Sequence, residues 1–266
     1  MALVTIEAAR PHVRIVTLNH PERLNSMSFG LVEALYEALA EIGADNDCWV
    51  VVLTGAGRGF CSGLDLEDRG HAPGIEGLPR GRAGIRAMGY MGGVVPALRA
   101  IPQPVIAAVN GAAFGGGMCL ALGADIRHAA TSAVFCAAGL INGLTSTELG
   151  ASYLLPRAVG TSHSAELLLT GRRIDAEEAG RIGLVSKVVP DGEVVDTALD
   201  TAAEMCDLSP YGLQMTKRVL WANLEVGSLT AAIDLEDRNQ LLLGHTPNLE
   251  EAIAAFNQER QPHYEE

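Results

Sequence analysis

Apolar and polar residues alternate in HVRIVTL, and Pro11 follows Arg10 at a natural turn, so residues 3–9 and 12–19 are predicted as the strands of a hairpin. The period changes from Ser28 onward. Leu31, Val32, Leu35, Tyr36, Leu39 and Ile42 fall at helical spacing behind a serine suited to N-capping, and Gly43 marks the end. WVVVLTG at 49–55 is apolar, short and β-branched, the pattern of a strand buried on both faces, and PVIAAV at 104–109 repeats it. Between them a glycine- and arginine-rich loop runs through residue 84, and a helix is predicted over 85–100, before Pro102.

A short helix is predicted from the triple glycine at 115–117 to Gly123, then strands around 125–128 and 133–136. Beyond residue 140 the spacing predicts helices at 147–155, 161–170, 175–182, 194–207, 210–226, 228–243 and 248–259, with one strand at 184–189. Asp175 and Glu178 form a capping box for the helix that starts there. Alternating strands and helices place the chain in the α/β class. No internal repeat or low-complexity tract accompanies them.

The 266 residues are 48% hydrophobic and 19% charged, enough to bury a sizeable core and to exclude disorder as the main state. Nineteen basic against 32 acidic residues give a net charge of −13, so nucleic acid is not an expected partner. Cys48, Cys61, Cys119, Cys136 and Cys206 form no CxxC pair, and the seven histidines have no H-x-x-x-H spacing. No metal is expected, and reduced thiols fit the cytoplasm. The N-terminal segment lacks the continuous apolar run of a signal peptide, which agrees with a cytoplasmic location. Residues 104–124 carry no charge and are long enough to span a bilayer. Pro104, Asn110 and three consecutive glycines instead read as a buried strand and turn, so no membrane span is expected.

Two glycine-bearing turns each follow a buried strand: Phe60-Cys61-Ser62-Gly63-Leu64-Asp65 and Phe114-Gly115-Gly116-Gly117. Adjacent parallel strands end at one sheet edge, where ligands bind, and the second turn also opens a helix whose free N–H groups favour negative charge. One N–H from each turn can then converge on a carbonyl oxygen as it becomes an oxyanion. Tight packing of glycines against a helix explains the same spacing equally well. Gly55-Ala56-Gly57-Arg58-Gly59-Phe60 is a poor dinucleotide fingerprint, because Phe60 stands where a small residue is needed, and no P-loop lysine occurs.

GRGFCSGLDL together with IPQPVIAAVNGAAFGGGMCLALGADIRHAA resembles the crotonase (enoyl-CoA hydratase/isomerase) superfamily. The likeness continues in HPERLNSMS at 20–28, LLPRAVG at 154–160, LLLTGRRIDAEEAGRIGLVSKVV at 167–189 and EEAIAAFNQERQP at 250–262. It implies an α/β fold, a crotonase-like spiral of ββα units over 1–195, and a helical C-terminal trimerisation region over 196–266. The implied partner is an acyl-CoA thioester, with coenzyme A entering as part of the substrate and no separate cofactor. A homotrimer or a dimer of trimers is implied as well.

The resemblance also implies site residues. Leu64 and Gly116 supply the oxyanion N–H groups. Arg23, Leu24, Ser26, Ser62, Asp65, Leu66, Phe114, Gly115 and Gly139 line the substrate path, Arg23 as a phosphate partner, while Lys217 and Arg260 are further candidates for the CoA phosphates.

Hydratases of this family position and split water with two glutamates. Their positions here are Cys119 and Gly139, so neither carboxylate is present. Buried cysteine is most often an inert core residue. Glu148, in LTSTELGAS, is the remaining acid near the site: either a proton-transfer group or a first-turn glutamate behind Thr145, Ser146 or Thr147 as helix cap. A single carboxylate suits proton transfer between two carbons, so isomerase-like chemistry, in fatty-acid metabolism, is favoured over hydration. The competing expectation is a CoA-thioester-binding paralogue that has lost catalysis. A hydrolase using Ser62 or Cys61 lacks a histidine nearby in sequence.

Overall fold

Three consecutive long strands of the core are each followed by a three-residue strand and then by helix. The computed structural model describes residues 2–264. A hairpin, β1 (Val4–Arg10) and β2 (Val13–Leu18), leads to α1 (Phe29–Ala44), where the Ser28 side chain accepts the Leu31 N–H as predicted. Three ββα units follow. The first is β3 (Val50–Gly55), β4 (Gly59–Cys61) and the helices α2 (Arg80–Gly92) and α3 (Val94–Ala100). The second is β5 (Val105–Val109), β6 (Ala112–Phe114) and α4 (Gly116–Gly123), and the third is β7 (Ile126–Ala130), β8 (Val134–Cys136) and α5 (Ala151–Thr170).

Long and short strands form separate sheets. The larger has the order β1-β2-β3-β5-β7-β10, with β10 spanning Lys187–Val189; only β1 is antiparallel to its neighbour. The smaller has the order β4-β6-β8-β9, with β9 (Arg173–Asp175) antiparallel at its edge. In β3, Val51 and Leu53 face the main core under α1, α3 and α4, while Val50 and Val52 face Ala198 and Leu199 of α7 (Val194–Cys206); α6 (Ala176–Arg181) precedes them. Burial on both faces is why β3 reads as an unbroken apolar run. The C-terminal helices α8 (Pro210–Asn223), α9 (Leu229–Gly244) and α10 (Pro247–Asn257) follow, and Leu229, Ile233, Leu242 and Phe256 are exposed on them.

Several elements differ from expectation. Helix begins at Arg80, inside the segment read as loop, and the predicted 85–100 helix divides at Gly93, where a side chain would meet the Tyr36 hydroxyl at 2.6 Å. Glycines lowered the helical signal of 80–84 without abolishing it. The helices expected at 147–155 and 161–170 become α5, broken by Gly160 at φ +78° and starting only at Ala151. Residues 148–150 are therefore a turn. The strands β4, β6 and β9 are three residues long, too short for alternation to register.

Candidate active site

The first glycine turn is held by Asn25, a residue the sequence pattern does not single out. Leu24 and Asn25 are left-handed, at φ +51° and +55°, which asparagine tolerates better than most residues. The buried Asn25 side chain accepts the His20 N–H at 2.8 Å and donates to the carbonyls of Ala56, Gly59 and Phe60 at 3.0, 2.8 and 3.2 Å. That pins residues 20–26 to the β3–β4 connection. Downstream, Met27 donates its N–H to the Gly63 carbonyl at 2.7 Å and accepts the Asp65 N–H at 3.1 Å. Leu64, between those two partners, turns its own N–H and C=O away from Met27.

The second turn packs against the first. A side chain on Gly63 would meet the Phe114 carbonyl at 2.5 Å and the Gly116 nitrogen at 3.3 Å. A side chain on Gly116 would meet the Met27 sulfur at 2.5 Å. Gly115, at φ +48°, donates its N–H to Cys136 at 2.8 Å and leads into α4. The N–H of Gly116 lies in the first turn of that helix, where no helical acceptor exists.

Asp65 locks the outer side of the first turn. It is 3% exposed and accepts hydrogen bonds from Arg23, from the Ser26 hydroxyl at 2.7 Å, and from the N–H groups of Glu67 and Asp68 at 3.0 and 2.9 Å. Burial alone opposes its charge. Arg23 and the other donors outweigh that and hold the carboxyl well below the usual range. Arg23 also pairs with Glu67, so its charge is met within the chain.

Glu148 sits beside the second turn, half-buried, with Oε1 3.0 Å from the point where a side chain on Gly115 would begin. It precedes α5 rather than lying in its first turn, because Leu149 and Gly150 are left-handed at φ +44° and +89°. Of the predicted caps, Ser146 is employed elsewhere, donating to the Ala137 carbonyl at 2.9 Å and accepting the Leu140 N–H, and Gly150 takes the N-cap position of α5. Burial pushes the Glu148 carboxyl above its ordinary range.

Cys119 and Gly139, where the resemblance leads one to expect the two hydratase glutamates, are closed in different ways. Cys119 is buried in α4, donating its S–H to the Glu148 carbonyl at 3.4 Å, and burial raises its thiol pKa far above neutrality. Gly139 opens a tight loop, and a side chain there would overlap the Thr145 carbonyl. No residue larger than glycine fits that backbone.

A cleft of about 570 Å³ runs along the two turns. Arg23, Leu24, Ser26, Ser62, Leu64, Asp65, Leu66 and Phe114 all line it; Gly115, Gly116, Gly139 and Glu148 lie outside its lining. Arg58 and Arg173, not singled out from the sequence, line it too, and among the described residues neither forms an ion pair. The Arg173 guanidinium stands 5.2 Å from the centre of the Phe114 ring.

The other cation candidates are committed elsewhere. Lys217 is buried, with its ammonium 3.1 Å from Asp125 and 2.8 Å from the Gln103 carbonyl. Asp125 also accepts the Val105 N–H and the Trp221 indole N–H, so this cluster docks α8 on the core. Arg260 pairs with Glu251 at 2.6 Å. Among the described residues there is no group of three or more potential metal ligands, and no helix is long and apolar enough to cross a membrane.

Comparison with known proteins matches this architecture over almost its whole length. The family model "Enoyl-CoA hydratase/isomerase" covers residues 9–266. The chain is 51% identical to the probable enoyl-CoA hydratase EchA12 of Mycobacterium tuberculosis, over 98% of this chain and 92% of that protein. Its fold superposes with a TM-score of 0.95 on a probable enoyl-CoA hydratase/isomerase from Mycobacterium abscessus, 44% identical over 99% and 98% of the two chains. A monofunctional enoyl CoA isomerase from M. smegmatis is 47% identical, with a TM-score of 0.74 over 88% of this chain and 99% of that one. By fold, extent of match and identity, the chain belongs to the enoyl-CoA hydratase/isomerase family of acyl-CoA enzymes.

Proposed function

We propose that the protein is an acyl-CoA isomerase that moves a proton between two carbons of an unsaturated acyl thioester. The reading rests on Glu148: a half-buried carboxyl against Gly115, while the two hydratase positions are a buried thiol and a glycine without room for a side chain. Ionised Glu148 takes a proton from the carbon next to the thioester carbonyl of a 3-enoyl substrate. The electron pair of that C–H bond spreads into a dienolate, and negative charge collects on the thioester oxygen. The N–H groups of Leu64 and Gly116 stabilise that charge; losing one such donor costs about 10²–10³ in rate. Glu148 returns the same proton to the fourth carbon, leaving the 2-enoyl product.

A raised carboxyl pKa suits this cycle, since the group must accept and give back a proton near neutral pH. The isomerase name of the M. smegmatis neighbour supports the reading, whereas the mycobacterial relative named as a probable hydratase points to water addition. Arg58 and Arg173 are the cations we assign to the CoA phosphates, because Arg23, Lys217 and Arg260 are paired within the chain. Exposed Leu229, Ile233, Leu242 and Phe256 support a homotrimer built through α9 and α10.

A panel of 3-enoyl-, 2-enoyl- and dienoyl-CoA esters, followed by mass spectrometry and ultraviolet absorbance, tests the reaction. Isomerisation changes absorbance at constant mass. A product heavier by one water overturns the proposal in favour of hydration, and tight binding without turnover favours a catalytically silent CoA-thioester-binding protein.

A further inference from the structure

We infer that Cys119 is a positioning residue: its S–H holds the Glu148 carbonyl and thereby sets the direction from which the Glu148 carboxyl reaches the substrate. The inference rests on the proposed role of Glu148 in proton transfer. Cys119 Sγ lies 3.4 Å from the Glu148 carbonyl oxygen, which also accepts the Ala151 N–H at 2.7 Å. Two donors from two helices, α4 and α5, therefore fix one carbonyl.

That carbonyl belongs to a backbone that needs holding. Leu149, immediately after Glu148, adopts φ +44°, a left-handed conformation that a branched aliphatic residue keeps only when its surroundings impose it. Leu149 Cδ2 would be 3.6 Å from a side chain on Gly116, so the turn also rests on the start of α4. Gly116 and Cys119 are three residues apart and share one face of that helix. The helix whose first turn presents the Gly116 N–H therefore also fixes the position of Glu148, and a shift of α4 moves both together.

The thiol is suited to donating rather than reacting. Cys119 is 1% exposed, and burial keeps it protonated, so it presents an S–H to the carbonyl at any working pH. A glutamate at this position would have to bury its charge where the turn now sits. At this position the thiol supports the turn instead of transferring a proton.

The experiment compares Cys119→Ala and Cys119→Ser with the unmodified protein on a 3-enoyl-CoA, recording kcat, KM, the pH–rate profile and thermal stability. Alanine removes the donor, and kcat is expected to fall about 10- to 100-fold with KM within twofold, the scale set by small misplacements of a reacting group. The acid limb of the pH profile shifts with it. Serine keeps a donor and is expected to recover most of the loss. Unchanged kcat and pH profile in Cys119→Ala overturns the positioning role, as does an equal loss in both variants that tracks only a lower melting temperature. Full turnover by Glu148→Gln overturns the underlying assignment instead, so the two failures are distinguishable.

Discussion

The Glu148 carboxylate occupies space that exists only because residue 115 is glycine: Oε1 stands 3.0 Å from where the first side-chain atom would be. At φ +48° and ψ −118° that position is also strained for any other residue, by about 1–3 kcal/mol. Gly115→Ala is therefore expected to lower the melting temperature and to reduce turnover by about 100-fold or more, by displacing the carboxyl. Gly81→Ala in the exposed α2, where nothing lies within 4 Å, is the control and is expected to be neutral or slightly stabilising.

Glu148→Gln separates catalysis from stability. Loss of the acid–base group is expected to cost about 10²–10⁴ in turnover. Because the folded-state pKa is raised, the contribution of Glu148 to stability is fully present below its ordinary value and is lost as pH rises through the folded one. At pH 7 the natural protein carries that deficit, and the glutamine variant is expected to melt at the same temperature or higher. In the natural enzyme the rate falls on acidification at a pH above that of an ordinary glutamate.

Arg173→Ala is expected to raise KM for acyl-CoA esters about 5- to 10-fold with kcat within about twofold, since the residue faces the cleft without an acidic partner. The effect shrinks at high salt. Steady-state kinetics on the matching acyl-pantetheine thioester, which lacks the nucleotide phosphates, should show no difference between variant and parent.

Asp65→Asn tests the lock on the first turn. Its charged hydrogen bonds predict a loss of about 1.5–3 kcal/mol at neutral pH. The folded-state pKa is depressed, so this stability is present above the ordinary aspartate value near ~3.9 and is lost as pH falls below it. Denaturation curves of the two proteins should begin to converge below pH ~4 and meet only as pH falls through the depressed folded value.

The elements that were legible in the sequence are those whose physics is local or repeats along the chain. The buried run of β3, the Ser28 cap of α1 and the glycines before α4 each carry their own signature. So does the adjacency of the two turns, because β3 and β5 pair directly. What the sequence does not show depends on residues far apart. The pairing of Arg23 with Asp65 spans 42 positions, and it changes Arg23 from an open phosphate contact into part of a lock. Asn25 gathers carbonyls from 31 to 35 residues away, and no pattern in its neighbours announces that. Helix α5 starts four residues later than the spacing predicts, because Leu149 gives no compositional hint of its left-handed backbone.

The short strands β4 and β6 lead into the two turns and are bonded to each other in parallel, which makes backbone the ruler between Leu64 and Gly116. Neighbouring strands lie about 4.8 Å apart whatever side chains they carry. On the proposed reading, the hold on the thioester oxygen is thus insulated from changes in the acids around it. Cysteine at 119 and glycine at 139 alter what happens along the carbon chain while the carbonyl is gripped as before. Such a division lets one scaffold exchange one reaction for another by substituting two or three side chains, without rebuilding the part that makes the intermediate accessible.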